Sequence, residues 1–487
     1  MRQSGRGRRV AAGSTSSGLA ALLIALIGLL AGAASSEAAP PRNVLLLISD
    51  NQGWPDCGCY GNNVVQTPHL DRLAAEAIRF DYAFATTASC GPSRAVIYTG
   101  LQTHSNGQYG HGHGYHTFRL KPKVTTVFQR MQQAGYRTAL LGKQHVTPPE
   151  AYPFDFNPKV SGRDVVGLAE AAETFIRESE DQPFFLVIGY SDPHPTSREG
   201  DGWGIVRDDP RLKRIEYDPA NIEVPAWLPD VPEVREGLVG YYQQISRMDQ
   251  GVGRVLASLD ELGHADDTLV IFTSDHGSSE PGAMANHYEP GIRVPFLVRK
   301  PGLAGGGECD ALVTLADIVP TVLDWTGQTI PDELHGRSLM PILGTAHPEG
   351  WDEVCLTHVC HEVTMYYPMR TIRTRRYKLI WNIAWRLEFP HPIDTLDRAT
   401  WNGILERGET HCGRRPVDQL MFRDEYELYD LETDPDEIDN LAADPEHRDV
   451  RVELVRRLEA FCRETDDPWL LRHRFPGDDF GRHVRGR

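Results

Sequence analysis

Four short apolar segments each run out into side chains that can bind metals or move protons. Asn43–Asp50 reads NVLLLISD and is followed by Asn51. Tyr136–Lys143 reads YRTALLGK, with His145 just beyond. Phe184–Asp192 reads FFLVIGYSD and leads to His194. Thr268–Asp275 reads TLVIFTSD and is followed by His276. Gathered together, carboxylate, amide and imidazole groups can hold a divalent cation, while Lys and His can offset charge or carry a proton. Asp and Asn are also ordinary turn formers, so one such end would mean little. Four ends of the same kind point to one shared site.

A further stretch, Cys90-Gly91-Pro92-Ser93-Arg94 running on to Thr99-Gly100, places a cysteine just before a predicted helix, with Pro92 in the opening turn. A helix N-terminus favours an anion, whether a thiolate or a bound sulfate, and Arg94 could hold an anion there. The plainer alternative is a small cysteine packed under a helix, since free cysteine is commonly buried.

The elements that must position these residues follow from the pattern. Continuous apolar runs of this length suit strands covered on both faces, as in parallel sheets. Helical stretches fall between them, at Thr67–Glu76, Thr125–Ala134, Val165–Ser179 and Glu236–Leu262. The alternation predicts an α/β sheet with helices on both sides and its site at the carboxyl ends of the strands. After about residue 350 the pattern changes. Val354–Val359, Tyr367–Arg373 and Tyr377–Ile383 read as antiparallel strands, a long connection runs from about Arg386 to Glu425, and a strand starting near Glu427 and a helix from His447 to Cys462 follow. The expected organisation is a leader over residues 1–39, a large domain over 40–350, and a small α+β domain over 351–487 that contributes to the pocket.

The leader is read from Arg2, Arg6, Arg8 and Arg9, then the apolar run Leu19–Ala33, then the small residues to Ala39. It predicts export without stable membrane association. The chain of 487 residues carries a net charge of −18, from 68 acidic against 50 basic residues, which argues against a nucleic-acid partner. An anionic substrate must then be drawn in by a local basic site. Eight cysteines show no CxxC pair and no zinc spacing, and their pairing cannot be read from the sequence.

Cys-x-Pro-Ser-Arg followed by Thr-Gly resembles the signature of the type I sulfatases. Asp50-Asn51-Gln52-Gly53, Thr67-Pro68-His69-Leu70-Asp71, Leu141-Gly142-Lys143, Asp192-Pro193-His194, Asp275-His276-Gly277 and Tyr288-Glu289-Pro290-Gly291 sit where that family has its other motifs. The resemblance implies an alkaline-phosphatase-like α/β/α sandwich with a mixed, mostly parallel sheet, plus a smaller C-terminal domain with an antiparallel sheet. It implies that a maturation enzyme oxidises Cys90 to formylglycine, whose hydrated aldehyde attacks sulfur with one hydroxyl and expels sulfate through the other. Asp50, Asn51, Asp275 and His276 would hold a divalent metal, calcium by preference and magnesium as runner-up. Arg94 and Lys143 would offset the sulfate charge, His145 would act as base and His194 as acid for the leaving group. Two departures stand out. Asn51 replaces the usual second Asp, and Met284 stands where many relatives carry a basic residue, a gap that His287 could fill.

His361-Glu362-Val363-Thr364-Met365-Tyr366-Tyr367-Pro368-Met369-Arg370 and the following Arg376-Tyr377-Lys378 resemble the heparan N-sulfatases within this family, as does Asp466-Asp467-Pro468-Trp469. That resemblance implies a sulfated saccharide substrate, N-sulfated glucosamine before any O-sulfated sugar, with His361 and Glu362 on the sugar hydroxyls. A salt-bridged pair at a domain interface is the other reading of those two residues. The basic run Arg370, Arg373, Arg375, Arg376 and Lys378 could bind a polyanionic glycan or simply be a solvated strand face. The compartment would be periplasmic, secreted or, in a eukaryote, lysosomal, with a homodimer as one assembly open to the chain. A phosphate or phosphonate monoester hydrolase shares the fold and stays a rival. A non-catalytic relative would have lost Cys90, Lys143 or His145, and none is lost.

Overall fold

The computed structural model describes residues 42–195 and 209–473. The expected leader lies outside them. The first sheet contains β1 (Asn43–Ser49), β2 (Ile78–Phe84), β3 (Arg137–Gly142), β4 (Phe184–Gly189), β5 (Thr268–Ser274), β6 (Arg293–Val294), β7 (Phe296–Arg299) and β8 (Gly307–Thr314). The four apolar segments are its parallel half, in the order β3-β4-β1-β5. Every residue of β1 is buried, with Val44, Leu46 and Ile48 facing one core and Leu45 and Leu47 the other. A strand covered on both faces must be apolar throughout, which is why it shows no alternation.

The first core is closed by the helices Cys90–Thr99, Val127–Gln133 and Ile318–Trp325, and the second by Pro68–Glu76, Val165–Ser179 and Pro232–Glu261. This is the expected sandwich, a mixed sheet between two helical layers. The other half of the sheet is what the pattern did not give. There β7 pairs antiparallel with β5 and with β2, while β6 and β8 lie beside β2. β2 reads IRFDYAF, with Arg79, Asp81 and Tyr82 only half-buried, so it lacks the apolar run that marks the central strands.

The second sheet is antiparallel, in the order β14-β11-β10-β9, from β9 (Glu353–Cys360), β10 (Tyr366–Thr374), β11 (Tyr377–Asn382) and β14 (Tyr426–Asp430). One face packs Ile372, Leu379 and Leu428 against Leu454, Leu458 and Cys462 of the helix Arg448–Glu464. The other packs Tyr367, Met369, Ile380 and Tyr429 in a cluster with Tyr241, Tyr242 and Ile245 of the long helix from the first layer. The segment expected to be a plain connection, 386–425, holds the helix Ala399–Arg407 and a short ladder of β12 (His411–Cys412) and β13 (Arg415–Pro416). Its anchors Phe389, Trp401, Ile404 and Leu420 are spaced singly, so they leave no periodic signal.

Every residue of the basic run is paired with a carboxylate, with Arg370, Arg373 and Lys378 buried and Arg375 and Arg376 on the solvated side. Arg370 pairs with Asp467, Lys378 with Glu289 and Glu437, Arg373 with Glu289, Arg375 with Asp310 and Asp352, and Arg376 with Asp430.

Candidate active site

Asp50 and Asn51 follow β1, and Asp275 and His276 follow β5, the neighbouring parallel strand. Parallel register therefore brings the two pairs side by side. All four are fully buried. One ligand atom each from Asp50, Cys90, Asp275 and His276 lie within 4.8 Å of one another. Asn51 has a left-handed backbone (φ 68°), a conformation Asn tolerates better than most residues. It sets the Asn51 amide oxygen 3.8 Å from Cys90 Sγ.

The residues fit a hard divalent cation. Asp50 Oδ1 is buried with no hydrogen-bond partner among the described residues, and Asn51 Oδ1 takes only the long contact from the Cys90 thiol. His276 is bonded through Nδ1 to the Gly277 carbonyl (2.9 Å), which leaves its Nε2 lone pair turned toward Cys90 Sγ, 3.2 Å away. Burial would raise the Asp50 carboxyl, but Lys143, His194 and Arg94 overturn that and hold it far below the usual carboxylate range. It is an anion at any working pH.

Cys90 is the first residue of its helix, buried under the same edge. Burial pushes its thiol well above the ordinary value, by more than Lys143 and Arg94 pull it back. As a plain thiol it is a poor nucleophile, despite its place at a helix N-terminus. One turn on, Arg94 donates through Nε to Asp275 Oδ2 (2.9 Å) and through Nη1 to the Lys143 carbonyl (3.2 Å), leaving Nη2 without a partner among the described residues. Ser93 Oγ donates to the Asp275 carbonyl (2.5 Å). Lys143 Nζ donates to Asp50 Oδ2. A side chain at Gly189 would meet the Lys143 carbonyl at 2.3 Å and Arg94 Nη1 at 2.8 Å, so the absent Cβ makes room for this junction.

His145 also has a left-handed backbone (φ 54°), and its Nδ1 is buried without a partner among the described residues. Its ring stacks on His111 (4.5 Å between centroids) and on His113 (4.9 Å). Burial, then Lys143, holds His145 well below the ordinary histidine value, so it is a neutral base. His194 is bonded through Nδ1 to the Pro195 carbonyl (2.9 Å) and is also lowered by burial, with Asp50 and Asp394 pulling the other way. The strand end that carries it is fixed by Asp192, which accepts from Arg247 Nε (2.7 Å) and Nη2 (2.6 Å) and from Arg163 Nη1 (2.9 Å).

His361 joins this group from the second sheet. Its Nε2 shares a hydrogen bond with His111 Nε2 (3.1 Å), and its Nδ1 shares one with Ser89 Oγ (2.9 Å). Burial lowers it to about 3. Glu362 is partly exposed and stands 3.7 Å from His116 Nε2. His287 is not brought to the cluster. Its Nδ1 meets Thr371 Oγ1 (2.7 Å), its ring sits edge-on to His358, and the charges acting on it are His358, Lys378, Arg370 and Arg423. Met284 is buried in the apolar cluster with Tyr241 and Tyr288. Sequence reasoning missed His111, His113 and Asp394. For the first two a signal existed, since His111-Gly-His-Gly-Tyr-His116 is a histidine-rich tract.

Residues 42–328 match the family model described as Sulfatase. The chain belongs to the sulfatase family. It is accordingly a hydrolase of sulfate esters or sulfamates. Residues 284–388 match a second model, described as N-sulphoglucosamine sulphohydrolase, C-terminal. The chain is 37% identical over 464 residues to human N-sulphoglucosamine sulphohydrolase, covering 89% of this sulfatase and 92% of the relative. It is 25% identical over 535 residues to an N-acetylglucosamine-6-O-sulfatase of Bacteroides thetaiotaomicron, covering 87% of each. A solved structure described as in complex with its substrate D-glucosamine-2-N,6-O-disulfate superposes with a TM-score of 0.64 at 21% identity, over 88% of this chain and 99% of that one. The phosphonate monoester hydrolase of Agrobacterium radiobacter gives the same TM-score of 0.64 at 20% identity, over 87% and 96%. The fold therefore does not choose between these chemistries. Among the described residues no helix is long and apolar enough to cross a membrane.

Proposed function

We propose that this sulfatase removes the N-sulfate from a glucosamine residue of a heparan-type chain. One observation carries the reading. His361, which lies within the segment matched by the N-sulphoglucosamine sulphohydrolase C-terminal model, bonds to His111, whose ring stacks on His145 beside the metal-type cluster. A segment shared with that enzyme thus reaches the reacting groups.

In this reading a maturation enzyme converts Cys90 to formylglycine, which supplies the hydroxyl that attacks sulfur. Asp50, Asn51, Asp275 and His276 would hold calcium, or magnesium as second choice, and the cation supplies polarisation of the sulfate. Arg94 and Lys143 offset the charge of the sulfate group and orient the attacking hydroxyl. His145, neutral and beside them, takes up a proton. His194 returns a proton to the leaving group, which a sulfamate needs on nitrogen. His361 and Glu362 orient the sugar. The reading includes export through the 1–39 leader to a periplasmic, extracellular or lysosomal space and no stable membrane association, with a homodimer as one assembly open to the chain.

The test compares kcat/KM of fully matured enzyme on glucosamine N-sulfate and glucosamine 6-sulfate. The N-sulfo sugar should be strongly preferred. A preference for the ester would return the chain to the O-sulfatases.

A further inference from the structure

Asp394 lies in the short helix Ile393–Leu396, inside the connection 386–425. Its Oδ2 is 3.9 Å from His361 Nε2. Arg398 Nε donates to its backbone oxygen (2.9 Å) and not to its carboxylate, which has no hydrogen-bond partner among the described residues. The side chain is 28% exposed, so it is not sealed in the core. The charged groups that act on it are His194, His361, Arg398 and Lys143. Burial would raise its carboxyl, and these neighbours hold it below the usual range instead, so it is an anion at neutral pH. It therefore stands beside His361, with His194 and Lys143 among the charges that reach it.

A carboxylate there is awkward for a sulfatase, because it repels the anionic substrate. It helps in one case. Hydrolysis of a sulfate ester, R–O–SO3− + H2O → R–OH + SO4²− + H+, leaves an uncharged organic product. Hydrolysis of a sulfamate, R–NH–SO3− + H2O → R–NH3+ + SO4²−, leaves a cation. In the second reaction the S–N bond breaks, its electron pair stays on nitrogen, sulfur gains an S–O bond, and nitrogen takes up two protons. Positive charge thus grows on nitrogen as the bond opens, and an anion placed beside it is more useful in the transition state and product than in the ground state.

We propose that Asp394 is the residue that selects a nitrogen leaving group over an oxygen one, by pairing with the ammonium that forms on the sugar. The proposal rests on the N-sulfate reading above and adds the group that enforces it.

The experiment uses matured holoenzyme, wild type and Asp394→Asn, with glucosamine N-sulfate and 4-nitrophenyl sulfate as substrates and with glucosamine and N-acetylglucosamine as product-like inhibitors. Asp394→Asn should lower kcat on the N-sulfo sugar about 10- to 100-fold, the range of one charge-assisted hydrogen bond, with KM nearly unchanged. Turnover of the aryl ester should move less than about threefold, which also shows that the variant is folded. Inhibition by glucosamine, a cation, should weaken by about the same factor as kcat, while the weaker inhibition by neutral N-acetylglucosamine stays put. If the variant slows both substrates alike, or still binds glucosamine as the wild type does, Asp394 has no such role and the N-sulfate reading stands. If wild-type enzyme turns over the ester but releases no sulfate from the N-sulfo sugar, the reading and the proposal fall together.

Discussion

The strand-end cluster and the Arg370–Asp467 pair of the second sheet are both buried assemblies of charge, and they differ in what is left over. Around Cys90, Asp50 Oδ1, Asn51 Nδ2, Arg94 Nη2 and His145 Nδ1 have no partner among the described residues. In the second sheet Arg370 gives two nitrogens to Asp467, with Nη2 at 2.9 Å from Oδ1, and a third to the carbonyls of His358 (2.9 Å) and Met369 (2.8 Å). An unpaired buried polar atom costs about 1–3 kcal/mol. Several together are retained where a ligand completes them. Charge alone does not mark a binding site; what sets the strand-end cluster apart is unused hydrogen-bonding capacity on several charged groups gathered around one nucleophile.

The comparison is broken most directly at Cys90. Cys90→Ala should lower turnover about 10,000-fold or more, with stability within about 1 kcal/mol of wild type. Mass spectrometry of the peptide spanning Cys90 should show an aldehyde in active wild-type enzyme. Full activity with only unmodified cysteine would refute the formylglycine reading. Next comes the cation. Exhaustive chelation should abolish activity and lower thermal stability, and calcium should restore both. Asp50→Asn and Asp275→Asn should mimic chelation, whereas Asn51→Asp should be tolerated. A smaller loss is expected at His194, where substitution by Ala should reduce kcat about 100-fold and leave KM within about threefold, since the proton is needed mainly in the transition state.

How much of this was legible follows from where each residue sits. Asp50, Lys143, His194 and Asp275 end or follow strands that must be apolar on both faces, and that requirement writes itself into a single sequence. So does the helix start at Cys90. β2, β6, β7 and β8 were not legible, because short half-buried strands alternate weakly and their pairing is settled by neighbours far along the chain. His361 was found only through resemblance. Asp394 was missed because a four-residue helix inside a connection has no pattern of its own. His287 was expected near the sulfate, but the side chains packed around it are Thr371 and His358, a tertiary fact that no local spacing encodes.

On the other side of the comparison, Arg370→Met should leave kcat of the folded enzyme within about threefold while costing about 3–5 kcal/mol of stability, because Asp467 stays buried without its partner. Adding Asp467→Leu should recover part of that loss. Denaturant unfolding of the three proteins measures it. A large fall in kcat with unchanged stability would move Arg370 from the scaffold to the site.

His391 is the residue that presses hardest on the rule drawn above. It is buried, both ring nitrogens lack a partner among the described residues, and yet it belongs to no cluster of reacting groups. Phe389 lies 5.1 Å away and Trp401 4.6 Å away, centroid to centroid. Burial, then Arg423, lowers it from 6.5 to about 3. Its folded value lies below its unfolded one, so its contribution to stability is fully present above pH 6.5. That contribution is lost as pH falls toward 3, because the unfolded chain takes up a proton that the folded chain refuses. At pH 5 the loss is about 2 kcal/mol, from about 1.4 kcal/mol per unit below the unfolded value. His391→Phe, which keeps the aromatic packing and removes the titration, should therefore gain about that much stability at pH 5 relative to its effect at pH 7.5, with kcat unchanged. Unfolding curves at the two pH values check the first part and sulfate release the second. If kcat falls instead, the unpaired ring is reporting a ligand after all, and the site extends along the connection past Asp394.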